Sequence, residues 1–470
     1  MREKQIRVVP SAWLEKEGRR LDCGPYLSGA IEAKVLLAKM KASKTPLCKL
    51  TKGGMAGIFN GPRFPRAYVL DAEYGVPFLG STDILQADLS FVPLLAKRQV
   101  QNQPDLLIDE GWTLISCSGT VGRMAYSRPD MKGMAGSQHF MRVLADDGKI
   151  RSGYLHAYLS SRFGVPLVVG GTYGSIIQHI EPDHLANLPV PRLDDQLERR
   201  AHDLVTQAAK LRSEYQQQVQ LATKKLFAAV GLNDITSGAW HSDNPDLGFT
   251  RKLDSPASLR ALNFNPRFQQ LCDTIRAKSW RPLGELCKPG TLKRGGRYKR
   301  IDAEPEYSYQ LIGQKEIFWV RPEGRWIAKK SVGTDVLVEP GTTLVAARGT
   351  FGESELYCRS EFVWGKDAER AYSEDFLRVI ADGDKIPPGC LFAFMRSETT
   401  FRMLRSVSMG TKLQDHHPRF LHELPVPYPD RRQRDEIHDL VTDAYDKRHR
   451  SVKLEDEAVA MVEAAIEGGA

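Results

Sequence analysis

The sequence predicts an α+β protein: two similar mixed α/β domains separated by long helices that pack as an antiparallel coiled coil. Three observations carry this. A 22-residue segment recurs 236 positions later. Each copy leads to the same Leu-Pro-Val-Pro tetrapeptide. Each tetrapeptide opens a charged stretch of about 36 residues with one apolar stripe.

The repeat comes first because it fixes the organisation. Phe140 to Ser161 and Phe376 to Ser397 share eleven of 22 residues. The same offset carries Gly174 onto Gly410, Gln178 onto Gln414 and Pro182 onto Pro418, and Leu188 to Pro191 onto Leu424 to Pro427. Upstream, Gly111 to Gly122 matches Gly341 to Gly352, and Phe78 to Ile84 faintly matches Leu311 to Ile317. The starts also correspond, Arg20 to Asp22 before Pro25 and Tyr26 with Phe264 to Phe268. A unit of about 230 residues is too long for a solenoid repeat and implies two copies of one domain in a pseudo-two-fold arrangement.

Within each unit, Thr113 to Cys117 and Thr343 to Ala347 are short apolar runs that read as strands. Each enters a Gly-Thr-x-Gly turn, Gly119 to Gly122 and Gly349 to Gly352. Tyr154 to Leu159 and Leu391 to Met395 read as helices, and the two prolines of each exit enforce extended backbone. The first long helix carries Leu197, Ala201, Leu204, Ala208, Leu211 and Tyr215 at alternating spacings of four and three. The second carries Ile437, Val441, Ala444, Val452, Val459 and Val462. Packing one stripe on the other covers both, and 36 residues span roughly 54 Å, so the pair is expected to hold two units apart as a ruler. The expected divisions are 1–193, 194–232, 233–258, 259–429 and 430–470, with 233–258 a mobile polar linker.

The composition bounds the function. Of 470 residues, 41% are hydrophobic and 26% charged, enough for packed cores. A net charge of +8 permits a nucleic-acid partner. No apolar run reaches membrane-spanning length and no secretory h-region opens the chain, so a cytoplasmic protein is expected. The seven cysteines are scattered without a CxxC and read as reduced thiols. Neither GxxxxGK[ST] nor GxGxxG occurs. His179, His416 and His417 lack ligands at zinc-like spacing, and Asp146, Asp147 and Asp382 sit in turns where capping explains them. No nucleophile–base pair is visible, so the chain reads as a binding module and not an enzyme.

The basic segments are the candidate site. Lys288, Lys293, Arg294, Arg297, Lys299 and Arg300 surround Tyr298 and three glycines, a composition suited to following a phosphate backbone. The equivalent stretch of the first unit offers Lys49, Lys52, Arg63 and Arg66. Arg123 and Arg348 flank the Gly-Thr-x-Gly turns within reach of phosphate or guanine. Gln178 and Gln414, alike in both units, read as scaffold hydrogen bonds.

These features together resemble the specificity subunit of type I restriction–modification enzymes. The resemblance rests on Gly75 to Ile84, Gly111 to Gly122, the Leu-Pro-Val-Pro exits, Gln196 and Gln433 near the helix starts, and Trp280 to Leu286. It implies two target recognition domains, each reading half of a bipartite duplex DNA site. It also implies two adenine-N6 methyltransferase subunits as partners, which carry S-adenosylmethionine and the chemistry, and endonuclease/translocase subunits that join them. This chain would bind no cofactor of its own. The loops 63–103 and 294–321 are expected to reach the major groove. The alternative is a coiled-coil scaffold of another DNA-defence assembly, without sequence-specific DNA binding.

Overall fold

A computed structural model describes residues 8–16, 24–118, 121–170, 179–242, 248–252 and 257–469. Its axis is a pair of long helices. Asp194 caps the central helix Asp195–Ala229 by accepting from the Gln196 and Leu197 amides. Asp430 caps the C-terminal helix Arg431–Gly468 through the Gln433 amide. Both caps satisfy amides that a helix start leaves free. The helices run antiparallel: Arg200 meets Glu457, Arg212 meets Glu455, Tyr215 meets Tyr445 and Lys225 meets Glu436.

Two mixed α/β units flank this pair, with equivalent strands in equivalent order. In the first, Ile58–Asn60, Phe140–Val143, Thr113–Ser116 and Met124–Tyr126 form a four-stranded antiparallel sheet. In the second, Lys293–Arg294, Phe376–Val379, Thr343–Ala346 and Ser360–Phe362 do the same. A second small sheet joins Gly75–Leu79 to Ala135–Gly136 in parallel, matched by Ser308–Ile312 with Ala371–Tyr372. The proline-rich exits are strands: Pro189–Pro191 pairs with Lys44–Pro46, and Pro425–Pro427 with Trp280–Pro282.

Each unit packs its helix against the long pair through a duplicated contact. The amide of Gly153 donates to Nδ1 of His202 at 3.1 Å, and that of Gly389 to Nδ1 of His438 at 3.0 Å. A Cβ on Gly153 would lie 2.8 Å from the His202 backbone, and on Gly389 2.7 Å from the His438 ring, so both positions need glycine. The core of the first unit takes in Ala201, Val205 and Ala209 with Ala458, Val462 and Ile466. That of the second takes in Tyr215, Val219, Leu226 and Phe227 with Ile437, Val441 and Tyr445. Each unit therefore sits on its own half of the rod, at opposite ends.

The units are not held apart, contrary to the expectation from helix length. Ala87 N donates to Phe318 O at 2.9 Å and Val320 N to Leu85 O at 2.8 Å, around an antiparallel bridge between Gln86 and Trp319. Counted from Phe78 and Leu311, these are the same positions of the two repeats. A pseudo-two-fold axis thus passes between Gln86 and Trp319. Backbone amides facing each other across it pair and lose no hydrogen bond to burial.

Buried ion pairs reinforce the bridge. Asp88 binds Arg396 at 2.5 Å. Burial alone would raise the Asp88 pKa, but Arg396 more than offsets it and holds the carboxyl at about 2. Arg321, the counterpart of Asp88, joins Arg212 on Glu455, at 2.7 Å from each. Parts of 63–103 and 294–321 are thus consumed in joining the units, which corrects the expectation that these stretches reach a groove throughout.

The segment after the central helix also departs from expectation. Asp234 accepts from the amides of Glu398 and Thr399, and the carbonyl of Trp240 accepts from Arg267. Residues 231–242 are therefore fastened to the second unit instead of forming a free linker.

Candidate nucleic-acid interface

Strand direction decides which basic residues come together. The strand Ile58–Asn60 runs away from the 145–150 turn, so the loop that follows lies over residues 136–139 at the other end of the sheet. Arg63 is exposed there, and among the described residues it has no ion-pair partner. Arg66 donates to Oε1 of Gln138 at 2.6 Å and stacks on the Phe78 ring at 4.9 Å. His139 lies beside them, its pKa lowered by burial first and then by Arg66 and Arg63. Its Nδ1 is 2.8 Å from Ser118 Oγ.

The second unit builds the same place with more charge. Arg297, Lys293 and Lys299 are exposed and lack ion-pair partners among the described residues. Arg300 binds Glu374 at 2.7 Å and Arg294 binds Asp415 at 2.9 Å. Tyr298 is half-buried; its hydroxyl donates to Tyr372 O at 3.4 Å, and burial raises its pKa to about 12. Three cations stay free for an anionic partner, and two are held by acidic side chains that shape the loop.

Other candidates lie elsewhere. Lys52 neighbours Asp146 and Lys288 neighbours Asp382, at the opposite end of each sheet. Lys288 is also bound by Glu339 at 2.6 Å, while Lys49 is exposed. Arg123 stacks over Trp319 and is ion-paired with Glu323, so it faces the cleft between units. Arg348 is half-buried; its amide donates to Oε1 of Gln314 at 3.1 Å.

On the long helices, Ala201, Ala208, Leu211, Tyr215, Ile437, Val441, Ala444 and Val462 are buried, while Leu197, Leu204, Val452 and Val459 are partly exposed. Gln414 is buried and accepts from Arg260 at 2.9 Å, a scaffold contact. Gln178, Gly174, Gly119, Thr120 and Arg20 to Asp22 lie outside the described residues.

The repeated Asp–Lys turns are local ion pairs, Asp146 with Lys149 and Asp382 with Lys385, each at 2.8 Å. His416 is sealed between Cys358 and Tyr357, and His417 caps the helix Pro418–His422. Among the described residues no three His, Cys, Asp or Glu side chains converge as metal ligands would, and no helix is long and apolar enough to cross a membrane.

Sequence reasoning did not single out Gln138, His139, Glu374 or Asp375, which line the loops. The signal was present: these pairs immediately precede Phe140 and Phe376, the first residues of the best-matched repeat, and they differ where their neighbours agree.

No family model and no curated protein matches the chain. Among solved structures it is similar to the S subunit of the type I restriction–modification system from M. genitalium. That likeness has 11% identity and a TM-score of 0.36, and covers 91% of this chain and 96% of the other. It is also similar to the HsdS subunit from Thermoanaerobacter tengcongensis, at 13% identity and a TM-score of 0.27, covering 91% and 97%.

Proposed function

We propose that this chain is a non-catalytic DNA-reading subunit of a type I restriction–modification complex. One observation carries the reading. Two copies of one domain, related by a pseudo-two-fold axis, each present a basic loop at the same place on a shared rigid axis. The helices, at 35 and 38 residues, are about 52 and 57 Å long. Units seated on opposite halves of such a rod and joined at the Gln86–Trp319 bridge would hold two DNA contacts at one fixed spacing. A pseudo-symmetric reader with unlike loops suits a site of two unlike halves with an unread spacer.

The division of labour follows from the chemistry of the loops. Free cations dock on phosphates and set register, and unlike neighbouring side chains discriminate bases. What the loops turn outward is charge and hydrogen-bonding groups. The reaction would belong to two adenine-N6 methyltransferase subunits that bind S-adenosylmethionine and flip the target base out of the stack. These subunits, and endonuclease/translocase subunits, would assemble around the helical axis in the cytoplasm. The candidate docking set is Lys49, Lys52, Arg63, Arg66, Lys288, Lys293, Arg294, Arg297, Tyr298, Lys299 and Arg300, with the exposed loop cations foremost. Arg123 and Arg348, turned inward, would contribute less.

The test is co-expression with the adenine-N6 methyltransferase of the same genome, followed by mapping of methylated adenines. Methylation at a gapped, two-part motif is the expected result. A stable complex that neither methylates nor selects any duplex would instead establish the coiled-coil scaffold.

A further inference from the structure

The two basic loops are one device built twice. With the strands in register, Asn60 pairs with Met141 and Arg294 with Leu377, which are repeat equivalents. The loops then align as Gly61 with Gly295, Arg63 with Arg297, Phe64 with Tyr298, and Arg66 with Arg300. Each shared residue has the same task in both units.

Gly61 and Gly295 lie on the guanidinium groups of Arg142 and Arg378, themselves repeat equivalents. A Cβ would come within 3.1 Å of Arg142 and 2.5 Å of Arg378, so a side chain there would have to displace the guanidinium. Phe64 and Tyr298 anchor the loop by packing into the small apolar clusters around Phe78 and Leu311. Arg66 and Arg300 clip its far end to Gln138 and Glu374, again equivalents. The remaining shared residue is the arginine in the middle. Arg63 and Arg297 point outward, between an apolar anchor and a clipped end.

The supporting layer adds to the field. Arg142 is fully buried, and Nε of both Arg142 and Arg378 has no hydrogen-bond partner. Arg142 donates from Nη1 and Nη2 to backbone carbonyls and lies over the Phe140 ring; among the described residues no carboxylate pairs with it, although the charge of Asp105 reaches it. A positive charge set in low dielectric beneath the loop acts over a longer distance than one in water.

We infer that Arg63 and Arg297 are the paired docking residues of the two half-sites, each neutralising an equivalent backbone phosphate. Arg66 and Arg300 act through the loop as positioning residues. The inference rests on the DNA-reading function proposed above. It further places base discrimination at the unlike positions of the same frame, Asn60 against Arg294 and Gln138–His139 against Glu374–Asp375.

The experiment uses the full chain and a mixed-sequence 40-base-pair duplex, with affinity measured across a salt series. Wild type should lose affinity linearly on a log–log scale. Arg63→Ala and Arg297→Ala should each lower that slope by about 1, and the double variant by about 2. Arg432→Ala, at an exposed position on the C-terminal helix, is the control and should leave the slope unchanged. Arg66→Lys keeps the charge but breaks the planar clip to Gln138; affinity should fall with a smaller change in slope. A wild-type chain with no salt-dependent binding would overturn the DNA-reading function itself. Salt-dependent binding with unaltered slopes in Arg63→Ala and Arg297→Ala would overturn only the assignment of these two arginines.

Discussion

The first and second units share their frame and differ in charge. At the inter-unit bridge the first inserts an acid, Asp88, and the second a base, Arg321, at equivalent positions. Asp88 finds one buried cation, Arg396. Arg321 finds Glu455, which already holds Arg212 and lies 3.4 Å from His156. At the loops, neutral Gln138 and His139 of the first unit correspond to acidic Glu374 and Asp375 of the second. The difference shows which parts of a duplicated domain were free to change. Backbone pairing, glycine contacts and apolar anchors persist because altering one copy breaks packing, whereas the charge at the bridge position can reverse when a different element supplies the opposite sign, Arg396 for Asp88 and Glu455 for Arg321.

The largest expected effect comes from breaking the busier of the two buried networks. Glu455→Gln leaves the buried Arg212 without a counter-charge and Arg321 with only the exposed Asp456, and should cost about 4 kcal/mol of unfolding free energy. Asp88→Asn strands one arginine beside a partly exposed partner and should cost less, about 3 kcal/mol. Denaturant titration of both variants ranks them; equal losses would mean that Arg321 gains its stability from Asp456 instead.

Next in size is a pH effect confined to the second unit. His416 occupies the position of Ile180. Burial pushes its pKa from the usual 6.5 down to about 4. Between those values the unfolded chain binds a proton that the folded chain refuses, so this group's stability is present above pH 6.5 and is lost as pH falls toward 4. The loss amounts to about 3 kcal/mol once the pH is below the window. His416→Ile copies the first unit and should flatten the stability profile across that range. A profile that keeps its slope would assign the acid sensitivity to another group.

Smaller again are the duplicated glycine contacts. Gly153→Ala and Gly389→Ala each push a methyl group into a histidine of the long helices, and each should cost about 2 kcal/mol. Similar losses would confirm that both units grip the rod in the same way. A tolerated Gly153→Ala would mark the first unit as the looser of the two.

Much of this was legible in the sequence, and the rest was hidden for identifiable reasons. The Phe140 and Phe376 segments announced the duplication, and the helical stripes announced the rod. The identical His202 to Thr206 and His438 to Thr442 pentapeptides were equally visible and name the contact that seats each unit. The stripe itself was read too narrowly. Val205, Ala209, Val219 and Phe227 are buried because a domain covers a second face of each helix, so the apolar arc exceeds a single coiled-coil seam. Arg212 and Glu455 looked like solvent charges because their partners are hundreds of residues apart. The loop alignment was masked by a two-residue shift in offset between Arg63 and Arg142.

The smallest effect sharpens the comparison most. Gln138 holds Arg66 as Glu374 holds Arg300, at 2.6 and 2.7 Å, so Glu374→Gln should keep the loop clipped. What changes is the sign of the field near a phosphate. Removing one carboxylate within a Debye length of the duplex should raise affinity at low salt about threefold. Gln138→Glu in the first unit should lower it by a similar factor. Both shifts should fade in high salt, because screening acts on the field and not on the clip. If neither variant alters affinity while Arg63→Ala and Arg297→Ala do, residues 138 and 374 face away from the duplex, and the discriminating positions narrow to Asn60 and Arg294, His139 and Asp375.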